Sequence, residues 1–225
     1  MRTIYQNWGT INYAEAFERQ TEIFDAKVRA KLDGGKLTDN YLIFCQHPHV
    51  YTLGKNGTAN NLLVDKAFLD KISATYYKTN RGGDITYHGY GQIVGYPILD
   101  LEQFDLGLKD YIFLIEQCII DLMADYGIVC GRLEGATGVW LDSDTGKARK
   151  ICAIGVKASR SVTMHGFALN VNTDLTYFNY INPCGFTDKS VTSMQKELQY
   201  ELDIKQVEDR LQQHIIDVLT HHQNS

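Results

Sequence analysis

The amino-acid sequence predicts an α+β fold, with a mixed, largely antiparallel sheet flanked by helices. Three observations carry that expectation. Segments of strand and helix periodicity are mixed along the 225 residues. A strong hairpin signal, Asp142-Ser143-Asp144-Thr145-Gly146, joins two apolar stretches and implies antiparallel pairing. No linker, internal repeat or low-complexity run interrupts the chain, so residues 1–225 are expected to form a single domain.

The elements follow in order. Residues 3–8 read as a short strand. Asn12 is expected to cap a helix, with Glu15 three residues on as in a capping box. Tyr13, Phe17, Phe24, Val28 and Leu32 give that helix one apolar face, and Gly34-Gly35 ends it. Residues 41–45 read as a buried strand, 65–72 as a short helix and 75–79 as a strand. Residues 92–101 form a strand with Pro97 near its end. The strongest helix spans 110–126, with Tyr111, Leu114, Ile115, Cys118, Leu122 and Met123 on one side and Gly127 as its stop. Strands at 137–141 and 149–158 flank the hairpin turn, and 162–171 is another strand. A closing helix over 206–222 turns Val207, Leu211, Ile215, Val218 and Leu219 inward.

Composition narrows the function classes. A hydrophobic share of 44% is ordinary for a soluble globular protein. No apolar run approaches the roughly 18–20 residues of a membrane helix, and residues 1–7 lack a signal-peptide core. These observations predict a cytoplasmic protein with no membrane partner. A net charge of −5 gives no sign of nucleic-acid binding. Cys45, Cys118, Cys130, Cys152 and Cys184 are widely spaced and odd in number, which argues against a disulfide framework and a zinc site. His47 and His49 flank Pro48 with no carboxylate or cysteine pair nearby, a weak metal signal, and no metal is expected. Asn56-Gly57-Thr58 reads as a turn. Lys147, Arg149, Lys150, Lys157 and Arg160 give residues 145–160 a charge of +5, which leaves −10 on the remainder. Such a segment either steers an acidic partner or is a solvated hairpin end.

Two segments carry candidate chemistry. Residues 81–92, from Arg81 to Gln92, pack four glycines among polar side chains. Glycines there let backbone amides approach a ligand or simply serve a tight hairpin loop. The spacing fits no dinucleotide or phosphate-loop motif. Asn182-Pro183-Cys184-Gly185 places a cysteine on a loop. A loop thiol is reachable by substrate and reacts as thiolate beside an ammonium, although a buried core thiol is the ordinary fate of a cysteine.

Taken together, R-G-G-x-x-T-Y-H-G-x-G-Q at 81–92, K-I-x-A-I-G-V at 150–156, H-G-x-A-L-N-V-N-x-D-L at 165–175 and N-P-C-G at 182–185 resemble the lipoyl(octanoyl) transferases of lipoate biosynthesis. Four ordered blocks covering most of the chain make the resemblance specific. It implies a fold shared with biotin and lipoate protein ligases, and an enzyme that needs no cofactor. The implied reaction moves octanoyl from the phosphopantetheine thiol of octanoyl-acyl carrier protein to a lysine of lipoyl domains. The implied acceptors are the lipoyl domains of 2-oxoacid dehydrogenases and the glycine cleavage H protein. The family's thioester-forming cysteine falls on Cys184 and its partner lysine on Lys150. Its substrate-contacting stretches fall on Arg81, Gly82, Gly83, Asp84, Ile85, Thr86, Tyr87 and His88, on Ala153, Ile154 and Gly155, and on Gly166, Phe167 and Ala168. Tyr90 stands where the family often has proline, and the hairpin at 145–147 is slightly long.

The implied chemistry is thioester-to-amide transfer, which is downhill and requires no ATP. A thiol pKa near 8.5 makes thiolate scarce unless a cation such as Lys150 stands close. Neutral Lys150 then accepts a proton from the incoming ammonium. Without the resemblance Lys150 reads as a surface lysine. His88 either binds substrate or orients the loop, or is a satisfied structural histidine beside Thr86 and Tyr87. An octanoyl tail needs an apolar tunnel, in which about seven carbon groups contribute on the order of 5 kcal/mol before entropy losses. Competing readings are an ATP-dependent lipoate–protein ligase, a lipoyl-domain amidotransferase and a silent carrier-binding module.

Overall fold

The computed structural model describes residues 2–34, 38–182 and 190–224. Its strands are β1 (Thr3–Thr10), β2 (Asn40–Gln46), β3 (Val50–Leu53), β4 (Thr75–Lys78), β5 (Ile85–His88), β6 (Gln92–Ile98), β7 (Gly131–Leu133), β8 (Ala136–Leu141), β9 (Arg149–Ser159), β10 (Val162–Asn170) and β11 (Ser190–Val191). Its α-helices are α1 (Tyr13–Leu32), α2 (Lys66–Lys71), α3 (Leu108–Asp125), α4 (Met194–Leu198) and α5 (Ile204–Asn224). The main sheet runs β1-β2-β6-β10-β9-β8-β7, with β11 paired to β9. Apart from the β1–β2 and β9–β11 pairs, its ladders are antiparallel. A second sheet runs β4-β3-β5. The expected α+β architecture is therefore met.

Helices cover both faces of the main sheet. On one side α1 packs Ala16 and Phe24 against Ile43, Val94, Ile98 and Met164. On the other, α3 and α5 pack against Phe44, Ile93, Leu169 and Ile151. The α5 stripe Val207, Leu211, Ile215 and Leu219, spaced by four residues, is buried. At about 2 kcal/mol per side chain it contributes on the order of 8 kcal/mol of docking free energy. The second sheet has its own core of Tyr51, Leu53, Ile85 and Tyr87.

Several local expectations change. Asn12 occupies the N-cap of α1, but its side chain makes no cap bond; Glu15 instead pairs with Arg19 at 2.6 Å. Leu32 is 61% exposed, whereas Gln20 and Lys27 are buried on the α1 face. Gly34 takes φ +62 at the helix end, and Gly35 lies outside the described residues. α3 begins two residues early, at Leu108, and Gly127 with φ +71 closes it as expected. β6 ends at Ile98, where Thr163 Oγ1 donates to Pro97 O (2.8 Å) and accepts from Leu99 N (3.0 Å). That hydroxyl bridges the place where proline supplies no N–H.

Candidate active site

The glycine-rich segment is not simply a loop. Its middle, residues 85–88, is β5, and the residues before it cross the open edge of β9. Beyond Cys152 that edge has no β8 partner, because the β8–β9 ladder stops at Val139↔Cys152. Gly82 N donates to Val156 O at 2.9 Å and docks the segment there. The crossing works only without side chains: a Cβ on Gly155 would stand 2.8 Å from Gly82 O, and one on Gly54 would stand 2.3 Å from Gly83 O. Because hydrogen-bonding direction alternates along a strand, the N–H and C=O of Ile154 face the same edge as Val156 O. They open between the Gly82 contact and the end of β8.

Arg81 is buried beneath this crossing. Its Nη2 donates to Thr52 O at 2.6 Å and its Nη1 to Gly82 O at 2.9 Å. Asp84 accepts from Ile85 N and from Asn61 Nδ2, each at 2.6 Å. His88 Nδ1 lies 2.9 Å from Gln92 Oε1, and its Nε2 lies 3.3 Å from Thr52 Oγ1. Gln92 Nε2 donates to Tyr87 O (3.1 Å) and Asn170 Oδ1 (2.9 Å), so Gln92 Oε1 faces His88 as acceptor and the imidazole proton sits on Nδ1. Burial, with the Arg81 charge behind it, pulls His88 down to about 3. It is a satisfied neutral histidine that also faces the cavity.

His165 is a second neutral histidine, lowered to about 3 by burial and by the Arg81 charge. It takes φ +62 within β10, with Nε2 2.7 Å from Asn80 Oδ1 and its ring stacked on Phe17. Next to it Gly166 makes a close crossing: a Cβ there would lie 2.2 Å from Gly95 O.

Lys150 stands on β9 between β8 and β11. Its carbonyl accepts from Thr192 N at 2.9 Å, and its Nζ lies 4.5 Å from the Trp140 ring centroid. Gly138, at φ +121, leaves room beside it: a Cβ there would meet Cys152 O at 2.5 Å and Lys150 Cε at 3.5 Å. The neighbouring Arg149 pairs with Glu197 (3.0 Å) and with Asp142, and the Thr192 hydroxyl also donates to Glu197. These bonds tie β11 and α4 to the start of β9.

A cavity of about 970 Å³ joins these parts. Lys150, Arg81, Gly82, Gly83, Asp84, Ile85, Thr86, His88, Ala153, Ile154, Gly155, Gly166, Phe167 and Ala168 all line it. Tyr87 does not: it points into the second core, with its hydroxyl 2.7 Å from His49 Nδ1 and its ring stacked on Tyr177. It braces β5 from behind. Cys184 lies outside the described residues. Asn182 and Ser190, which bracket its segment, both line the cavity. Tyr13, Gln92, Trp140, His165 and Lys196 also line it, and sequence reasoning missed them. His165 was within reach, since it opens the third motif block. Lys196 had no local signal.

The other thiols are poor nucleophiles. Burial raises Cys118 to about 12 and Cys130 to about 11, and pushes Cys45 and Cys152 up further. For Cys152 the nearby Lys150 charge acts in the opposite direction, and desolvation outweighs it.

The basic segment does not form one patch. Lys157 Nζ sits 4.4 Å over the Phe24 ring, and Arg149 is held by two carboxylates. Lys147 and Arg160 lie beyond opposite ends of the eleven-residue β9. At ~3.3 Å per residue they are on the order of 30 Å apart along the strand. Charges adjacent in sequence are spread out by an extended backbone.

Tyr90 is 51% exposed, edge-on to His49. Its turn is held without proline: Gly91 N donates to Gln46 Oε1 (2.8 Å), and Gly91 O accepts from Asn172 N (2.8 Å) and Thr173 Oγ1 (3.1 Å).

Comparison with known proteins agrees with the geometry. The family model described as the lipoyl protein ligase A/B catalytic domain matches residues 12–216. An octanoyltransferase of Bacteroides fragilis is 58% identical over 219 residues, covering 97% of this chain and 99% of the relative. Among solved structures, a bipartite lipoate protein ligase from Thermoplasma acidophilum superposes with TM-score 0.71 at 15% identity, over 98% of this chain and 84% of that one. A biotin protein ligase from Aquifex aeolicus gives 0.55 at 11% identity, over 100% and 72%. At such low identities the two structures show the fold alone. The chain belongs to the lipoyl protein ligase A/B catalytic-domain family and, within it, to the octanoyltransferases. It is an acyltransferase. Among the described residues, no helix is long and apolar enough to cross a membrane.

Proposed function

We propose that this single catalytic domain transfers octanoyl from an acyl carrier protein thioester to a lysine of lipoyl domains, through a thioester on Cys184. The observation that carries the reading is one cavity lined by Lys150, three of the motif blocks, and both Asn182 and Ser190 on either side of the Cys184 segment. The name of the B. fragilis relative supports octanoyl as the acyl group.

In the first half, the Cys184 thiolate attacks the donor carbonyl. A carbon–sulfur bond forms to Cys184, the donor carbon–sulfur bond breaks, and the pantetheine sulfur leaves and takes the proton of Lys150, which becomes neutral. In the second half, a lysine amine attacks the Cys184 thioester. The amide forms, the Cys184 thiolate leaves, and the amine proton passes to neutral Lys150. Protonated Lys150 is then ready to stabilise thiolate in the next cycle. The Ile154 edge offers an N–H and a C=O to amides of the incoming substrate, in the manner of an added strand. Neutral His88 and His165 add no charge to an apolar acyl chain. A cytoplasmic location fits a donor carried by acyl carrier protein.

The test is intact mass after mixing with octanoyl-acyl carrier protein in the absence of ATP. An octanoyl adduct that Cys184→Ala abolishes is expected. No adduct, with transfer that depends on ATP, would replace this reading with a ligase. Substantial transfer by Cys184→Ala would remove the covalent step.

A further inference from the structure

The cavity is cationic although the chain carries −5 overall. Among its described lining residues Arg81, Lys150 and Lys196 are basic, and Asp84 alone is acidic. Asp84 is already bonded to Ile85 N and Asn61. Arg81 is buried and held by Thr52, and Lys150 stacks on Trp140. Lys196 differs from both. It lies on α4, exposed to solvent, and it lines the cavity. Its sequence neighbour Glu197 is committed to Arg149 and Thr192. Lys196 makes no ion pair with a described residue. An ammonium at the mouth of a positive cavity is placed for an anion that stays at the mouth while the rest of the substrate reaches inward.

We propose that Lys196 binds the phosphate of the donor's phosphopantetheine arm. This rests on the acyl-thioester reading above. The thioester end has to reach the Lys150 region, and the arm's other end carries a phosphodiester that solvent should keep hydrated. An exposed lysine suits that group, because it attracts the anion without requiring either partner to be buried. Coenzyme A thioesters carry a phosphate at the same 4′ position of the arm, there as part of a diphosphate, so the phosphate contact assigns Lys196 to the arm rather than to the carrier.

The experiment compares four donors: octanoyl-pantetheine, octanoyl-4′-phosphopantetheine, octanoyl-coenzyme A and octanoyl-acyl carrier protein. The readout is the ratio of kcat/KM for each phosphate-bearing donor to that for octanoyl-pantetheine. Lys196→Ala should lower all three ratios by roughly two- to fivefold, chiefly through KM. Lys196→Glu should lower them by roughly tenfold, and Lys196→Arg should restore them. The wild-type ratios should fall as salt rises, and the ratios of Lys196→Ala should fall less. Lys66→Ala, which removes a lysine elsewhere that pairs with Asp70, controls for net charge. Ratios unchanged by Lys196→Ala and Lys196→Glu would overturn the proposal, as would an equal drop from Lys66→Ala. A loss confined to the carrier protein would reassign Lys196 to the carrier surface and overturn the phosphate contact. Failure of the wild-type enzyme to turn over any of the four donors would instead count against the acyl-transfer reading itself.

Discussion

Lowering the pH from 7.5 to 5.0 should destabilise this protein by several kcal/mol, and the cause is specific. His47, His88 and His165 are buried, and burial lowers their pKa from 6.5 to about 4, 3 and 3. The native state therefore keeps all three neutral at pH 5, whereas the unfolded chain protonates them below 6.5. The unfolded state binds more protons, so the stability these groups contribute is complete above 6.5 and is lost as pH falls towards 3–4. At pH 5 each unfolded histidine has gained about 1.5 pH units of protonation free energy, or about 2 kcal/mol. Three such groups amount to about 6 kcal/mol, a large part of the ~5–15 kcal/mol that holds a domain folded. Urea unfolding at pH 7.5, 6.0 and 5.0 measures the loss directly. His165→Asn isolates one group, because asparagine tolerates the φ of +62 at that position. Whatever the variant costs at pH 7.5, its loss between pH 7.5 and 5.0 should shrink to about 4 kcal/mol. A flat stability profile, an unchanged loss in His165→Asn, or ring resonances titrating near 6.5 would refute the reasoning.

Two further outcomes follow from the site. Lys150→Arg keeps a cation over Trp140 but cannot become neutral near pH 7. It should preserve part of the Cys184 alkylation rate and lose acyl transfer to lysine, and normal turnover would show that proton acceptance is not the role of Lys150. Gly155→Ala puts a methyl 2.8 Å from Gly82 O and 3.3 Å from the Arg81 side chain. It should cost about 1–3 kcal/mol in thermal or urea unfolding and slow single-turnover transfer, since the segment must lift from β9; parental values in both assays would mean the crossing does not organise the site.

Much of this is legible in the sequence, because periodicity reports burial. The inward residues of α3 and α5 follow directly from apolar spacing, and the β8–β9 hairpin from its turn residues. What periodicity cannot see is a buried polar group satisfied from a distance. Gln20 and Lys27 are core positions of α1 because Gln20 accepts from His165 N at 3.2 Å and Lys27 donates to Asp39 O at 2.8 Å. The apolar Leu32, expected inside, is left exposed. β3 goes unanticipated and β5 falls within the segment offered as a tight hairpin loop, because a strand paired about 35 residues away leaves no local trace. The site divides the same way. The motif blocks name its lining, but the need for glycine at 54, 155 and 166 lies in close approaches between segments distant in sequence. The charged segment misled for a related reason, since composition counts charges without saying which side of a strand, or which partner, each one meets.

The contact between Lys150 and Trp140 gives the protein an intrinsic optical reporter. The chain has two tryptophans, and the other, Trp8, faces Arg19, whose charge does not change at any working pH. Indole emission responds to a charge at its face, and the ammonium at Trp140 lies 4.5 Å from the ring centroid. Gain or loss of that one proton should therefore modulate the light from Trp140 while Trp8 supplies a constant background. Stopped-flow fluorescence on the unlabelled wild-type enzyme could then follow the protonation state of Lys150 through a single turnover.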